Sequence, residues 1–178
     1  MTARVFEHSR LWRLTAPALD RAVQLLATAA TENFGAFTQV VGIADGGTVP
    51  ATQIATQLGV RPTMVRARHN PTDAHYSPAT GQVWCDPGDL APAGRVLVVD
   101  DICGSGATLR TVVAALAERA PTGTQLVTAT LCLNAGSTAP PDLWVWADLR
   151  DWVVFPWETQ PPADTMTDLP LPTQAYRR

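Results

Sequence analysis

The sequence predicts an α/β protein with a doubly wound, mainly parallel sheet, and three observations carry that reading. The run Val96-Leu97-Val98-Val99 is uninterrupted apolar and mostly β-branched, the pattern of a strand buried on both faces. Apolar strands of this kind alternate along the chain with stretches of helical spacing, which implies parallel strands joined by crossover helices. Twice, a strand runs into a glycine loop that opens a helix: Ala44-Asp45-Gly46-Gly47 and Cys103-Gly104-Ser105-Gly106. Open sheets of this class bind ligands at the C-terminal ends of their strands, so the two loops are expected to face one crevice.

The elements follow in order. Residues 1–14 are mixed, with Trp12 and Leu14 as packing anchors. Thr15 is a plausible N-cap and Pro17 falls in the first turn. Leu19, Val23, Leu26 and Ala30 share a helical face, and Gly35 ends the helix. Residues 37–43 read as a strand. Thr48-Val49-Pro50 opens a second helix, which Gly59 stops. A third strand is expected over residues 63–68. Residues 69–81, which include His69, His75, Tyr76 and Ser77, are polar and broken by Pro71, Pro78 and Gly81, the composition of a mobile loop. A short strand is expected over residues 82–85. The Val96 strand follows, expected to end where the two carboxylates of Asp100 and Asp101 stand. Its helix is expected from Leu109 to Glu118, and another buried strand over residues 125–133. Residues 142–158 hold two aromatic runs around a polar turn and read as a small appended hairpin, or hood. The domain is expected to span 1–160, followed by a Pro-rich tail at 161–178 with poor order.

Composition narrows the function. The chain has 178 residues, enough for one domain with a full core. Its 46% hydrophobic and 16% charged residues are ordinary for a soluble globule. A net charge of −3 makes a nucleic-acid partner unlikely. No stretch approaches the ~20 apolar residues of a membrane span, and the first residues lack a signal-peptide core. Three cysteines without a C-x-x-C pair read as reduced thiols of a cytoplasmic protein.

The chemistry concentrates at the Val96 strand and the loop after it. A strand, a glycine loop and a helix start make an anion site, because free amides and the helix dipole both favour phosphate. Ser105 and Thr108 add hydroxyl donors, and Asp100 and Asp101 offer groups for hydroxyls or a metal at the same spot. A P-loop is excluded because the chain contains no lysine, and Leu109 stands where a dinucleotide fingerprint needs its third glycine. Two glycines at 46 and 47 again expose amides before a helix. Arg66 and Arg68 alternate with Val65 and Ala67, so both could lie on one strand face.

An apolar strand, two acids and a loop closing on Gly106-Ala107-Thr108 resembles the phosphoribosyl-diphosphate (PRPP) signature of type I phosphoribosyltransferases. Motif layout is nearest to the xanthine–guanine and hypoxanthine enzymes, and the resemblance spans about residues 35–158. It implies the following. Asp100 and Asp101 are the catalytic pair, holding the ribose hydroxyls directly or through Mg²⁺. Cys103, Gly104, Ser105, Gly106, Ala107 and Thr108 bind the 5-phosphate. Ala44, Asp45, Gly46, Gly47, Arg66 and Arg68 bind diphosphate, with a cis peptide often found before the position of Asp45. Asp151-Trp152-Val153-Val154-Phe155-Pro156-Trp157-Glu158 resembles the base-binding hood: Trp152 stacks on the base, Val153 reads its edge through the main chain, and Glu158 lies near the exocyclic group or Mg²⁺. Ile102 and Asn134 complete the base site, and Asp100, Asp101 and Glu158 form the Mg²⁺ set. The loop after Arg68 closes over the reaction centre.

The resemblance also implies a homodimer that takes PRPP and a nitrogenous base. Three departures stand out. The family has a basic or polar residue where this chain has Asp45. The 6-oxopurine enzymes have an aspartate where Gly104 stands, and a lysine at the position of Asn134. The departures at Gly104 and Asn134 favour an atypical base, such as a deazapurine. The alternatives are a non-catalytic regulator on the same fold that binds PRPP or a nucleotide together with an RNA, and a related hydrolase or ligand sensor that has lost transfer chemistry.

Overall fold

A computed structural model describes residues 7, 9–68 and 83–178, without the side chain of Arg68. The loop expected over 69–81 and its His69, His75, Tyr76 and Ser77 lie outside the described residues, as do the first six.

Helix α1 (Ala16–Phe34) starts where expected: the Thr15 hydroxyl accepts from the Ala18 amide at 3.4 Å, and Gly35 closes the far end. Strand β2 (Gln39–Ala44) leads into α2 (Thr48–Leu58), which ends at Gly59 in the left-handed conformation. Strand β3 (Pro62–Arg68) pairs antiparallel with the short β4 (Trp84–Asp86). Strand β5 (Arg95–Cys103), α3 (Ala107–Ala117) and β6 (Gln125–Asn134) follow.

Five strands lie parallel at the centre of a seven-stranded sheet, whose order is β10 (Tyr176–Arg177), β7 (Leu143–Leu149), β6, β5, β2, β3 and β4. The antiparallel β4 and β10 close its two edges. Helices α1 and α2 cover one face, over Val40, Leu97, Val99, Ala129 and Leu143. Helix α3 covers the other, over Val41, Ile43, Val65, Val96 and Val98. Residues 96–99 are therefore wholly buried on both sides, which is why the run shows no polar alternation. The doubly wound expectation holds.

Three expectations are corrected. Strand β5 does not stop before the carboxylates but runs through Asp100 and Asp101 to Cys103, because β6 continues to pair with it as far as Cys103↔Leu133. The two halves of 142–158 do not form a hairpin. Strand β7 (Leu143–Leu149) joins the large sheet beside β6, whereas β8 (Trp152–Val154) enters a separate three-stranded sheet. That small sheet has the order β8-β1-β9, with β1 (Leu11–Arg13) central and parallel to both β8 and β9 (Met166–Asp168).

The segment after Gln160 is not a poorly ordered tail. Residues 166–168 form β9 (Met166–Asp168), Leu169 is buried, and the Trp146 indole donates to the Pro170 carbonyl at 3.0 Å. Strand β10 (Tyr176–Arg177) then pairs with β7, where Tyr176 stacks on Trp144. Proline there limits ladder pairing without preventing packing.

Candidate active site

The parallel strands β2, β3 and β5 end on the same side of the sheet, and their loops gather there. The first glycine loop packs on β5 just ahead of the second. A Cβ at Gly46 would collide with the carboxylate of Asp101, and one at Gly47 would sit 2.5 Å from the Val99 carbonyl and 2.7 Å from that of Ile43. At Gly47 the neighbours are backbone atoms, so only glycine fits, whereas at Gly46 the obstacle is the Asp101 side chain. The Ala44–Asp45 peptide is cis, Asp45 is exposed, and Gly47 forms the N-cap of α2 without a side-chain cap. Arg66, exposed on β3, lies in register beside Ala44. It also lines an open cavity of about 490 Å³ with Met64, Asp86 and Asp89.

Helix α3 begins at Ala107, two residues earlier than expected, with Gly106 at its N-cap in the left-handed conformation (φ 87°). The N-cap residue has no side chain to offer, and the Ser105 hydroxyl instead accepts from the Ala107 amide at 3.3 Å. Thr108 is half-buried in the first turn. The arrangement keeps amides, two hydroxyls and the positive end of the helix dipole at one point.

The two carboxylates do not share one environment, as expected of neighbours on a strand whose successive side chains face opposite ways. Asp100 is only 9% exposed, and its Oδ1 accepts from the Asp101 amide at 3.0 Å. Asp101 is half-buried against Gly46, and its Oδ1 accepts from the Ile102 amide at 2.6 Å. Ile102 packs half-buried against the main core, and Cys103 is buried with Sγ 3.4 Å from the Ser137 hydroxyl.

Asn134 is only 1% exposed, and its amide is committed to the fold. Its Nδ2 donates to the Leu149 carbonyl at 2.8 Å, and its Oδ1 accepts from the Gly136 amide at 2.9 Å. Glu158 is likewise engaged locally: its Oε2 accepts from the Phe155 amide at 3.0 Å. Among the described residues no group of three or more His, Cys, Asp or Glu side chains is placed to hold a metal ion. Asp100 and Asp101 alone still suit Mg²⁺, which takes one or two carboxylates and completes its shell with water and substrate phosphates.

Trp152 is half-buried on β8, an edge strand of the small sheet, and Val153 beside it is buried. Sequence reasoning missed two supports. Residues 135–142 form a backing loop: the Thr138 hydroxyl lies 3.5 Å from the Ser105 carbonyl, and Ala139 lies against Gly106. The run of small and polar residues at 135–139 was the available signal. The second is β1, whose three residues carry no periodicity long enough to read.

The model of the phosphoribosyl transferase domain matches residues 13–164, which include both glycine loops and Trp152. This chain belongs to the phosphoribosyltransferase family. It is a PRPP-dependent pentosyltransferase by that membership. A xanthine-guanine phosphoribosyltransferase of Gluconobacter oxydans is 30% identical over 149 residues, covering 80% of this chain and 82% of the relative. The solved purine phosphoribosyltransferase of Pyrococcus horikoshii superposes with a TM-score of 0.69 at 25% identity, covering 85% of this chain and 97% of the other. The xanthine-guanine-hypoxanthine phosphoribosyltransferase of Helicobacter pylori shares the fold, with a TM-score of 0.68 at 17% identity over 84% of this chain and 94% of that one. In this phosphoribosyltransferase no described helix is long and apolar enough to cross a membrane.

Proposed function

We propose that this phosphoribosyltransferase moves ribose 5-phosphate from PRPP to a ring nitrogen of a purine-like base and releases diphosphate. The observation that carries the reading is the packing of the 44–47 loop on β5, with Gly46 against Asp101, just ahead of the 104–108 loop. A substrate bearing a phosphate at one end and a diphosphate at C1 needs two anion loops one ribose apart. The amides of 104–108 with the Ser105 and Thr108 hydroxyls hold the 5-phosphate. The amides of 44–47 and the Arg66 and Arg68 guanidiniums hold the diphosphate. Asp100 and Asp101 take the ribose hydroxyls, directly or through Mg²⁺. Bound there, Mg²⁺ neutralises the departing diphosphate. Positive charge develops at C1 as that bond breaks, and nearby carboxylates favour it.

Trp152 stacks on the base. Strand β8 lies at the edge of its sheet, so a row of its main-chain groups faces away from β1, which supports edge reading at Val153. Ile102 borders the base, and Glu158 and Asn134 act by shaping the hood and the β6–β7 junction. The purine names of the relatives favour a purine-like acceptor. Gly104 has no side chain to serve N7, and Asn134 spends its amide on Leu149 and Gly136, so a 7-deazapurine fits better than hypoxanthine or guanine. A homodimer in the cytoplasm belongs to the same reading, and sedimentation at twice the 19.0 kDa chain mass is the expected result.

Incubation with PRPP, Mg²⁺ and a panel of guanine, hypoxanthine, xanthine, adenine and 7-deazapurines, following diphosphate release, tests the whole reading. Turnover that stops in excess chelator is expected. Salt-sensitive RNA binding without diphosphate release would favour a regulator instead. Efficient use of guanine with inert deazapurines would remove the atypical base.

A further inference from the structure

Strand β8 carries Trp152, and its one pairing partner among the described residues is β1, with Leu11 opposite Trp152 and Trp12 opposite Val153. The residues on either side extend this contact. The Glu7 amide donates to the Arg150 carbonyl at 2.8 Å, and the Leu14 amide donates to the Val154 carbonyl at 3.0 Å. In the middle sits a carboxylate with no place in the transfer chemistry. Asp151 is 6% exposed, although acidic side chains are seldom buried without a purpose. Both its oxygens are held by one residue 142 positions away: the Ser9 amide donates to Oδ1 at 2.9 Å, and the Ser9 hydroxyl donates to Oδ2 at 2.8 Å. The Arg10 guanidinium lies 3.8 Å from Oδ2 and also over the Trp12 ring, 5.1 Å from its centre.

We infer that Asp151 is a positioning residue for the base site: clamped by Ser9 and Arg10, it fixes the backbone from which Trp152 projects. The inference rests on the reading of Trp152 as the base stacker. A buried carboxylate with two directed hydrogen bonds sets position and orientation more tightly than an apolar contact of the same size. A strand of three residues has too few ladder bonds to set its own register. The clamp lies on the side of the ring's own backbone and touches neither anion loop, so its loss should be felt by the base alone.

The test is calorimetric titration of guanosine 5′-monophosphate and of ribose 5-phosphate into the full chain and three variants: Asp151→Asn, Ser9→Ala and Trp152→Leu. Ser9 is exposed, so Ser9→Ala probes the clamp even where Asp151→Asn fails to fold. Expected is a loss of about tenfold in affinity for the monophosphate in Ser9→Ala and Asp151→Asn, with ribose 5-phosphate binding within twofold of the parent. Trp152→Leu should show the same pattern. A normal monophosphate affinity in Ser9→Ala, beside a weakened one in Trp152→Leu, overturns the clamp and leaves the stacking role standing. Unchanged monophosphate affinity in Trp152→Leu overturns the stacking role and the clamp with it. Equal losses for both ligands in Ser9→Ala would mark a general structural role and also overturn the inference.

Discussion

A single methyl group at Gly46 would occupy the space of the Asp101 carboxylate. Gly46→Ala must therefore push the diphosphate loop away from β5 or turn Asp101 aside. Overpacking of this kind costs about 1–3 kcal/mol. The larger effect is expected on turnover, a fall in kcat/KM on the order of 10² because the two anion loops lose their spacing. Wild-type kinetics in Gly46→Ala would contradict the contact. Asp101→Asn and Asp100→Asn remove charge with little change in volume. At least one of them should lose on the order of 10²–10⁴ in kcat/KM. Diphosphate release at the parent rate in both variants would disprove the ribose assignment. Asp101 was legible as a candidate site residue because two acids before a glycine loop have few structural uses. The commitment of Asn134 to Leu149 was not legible, because a hydrogen bond across the β6–β7 junction depends on where β7 ends.

At the scale of the elements, local chemistry announced most boundaries. Thr15 and Gly35 bracket α1, Gly59 ends α2, and apolar-rich runs mark β2, β5 and β6. What stayed hidden depends on long-range pairing. Strand β8 has three residues, and its sheet is completed by β1 and β9 from the two ends of the chain. No local pattern distinguishes such pairing from a hairpin. The proline-rich composition of 161–178 argued for poor order, yet Leu169 inserts into the main core. Leu169→Ala should cost about 2–5 kcal/mol, as for other buried leucines. In a chain of this length that corresponds to a fall in Tm of at least about 4 °C. A melting curve within one degree of the parent would show that the segment contributes nothing to the core.

For the whole molecule, acid should act first on the small sheet. Burial pushes the Asp151 carboxyl up, but the Ser9 hydroxyl, the Ser9 and Arg10 amides and the Arg10 charge outweigh it and hold it below its ordinary value. The Arg13 hydrogen bond likewise lowers Asp168, which ties β1 to β9. A carboxyl whose folded value lies below its unfolded one adds stability above the unfolded value of about 3.9, and loses it as pH falls through the folded value. Near-ultraviolet circular dichroism, dominated by the tryptophans, should change below about pH 4, and earlier in Asp151→Asn than in the parent. Identical acid profiles would refute the contribution of Asp151. The central place of β1 also has a consequence for synthesis. Both anion loops, and every strand they need, lie before residue 135, so a growing chain holds them early. Leu11 must wait for Trp152 and Met166 before it has any partner. Such distant pairing is the slow part of folding, since a long loop must close before any contact rewards it. On the ribosome, the large sheet with the two glycine loops is built first, and the small sheet that carries Trp152 closes last.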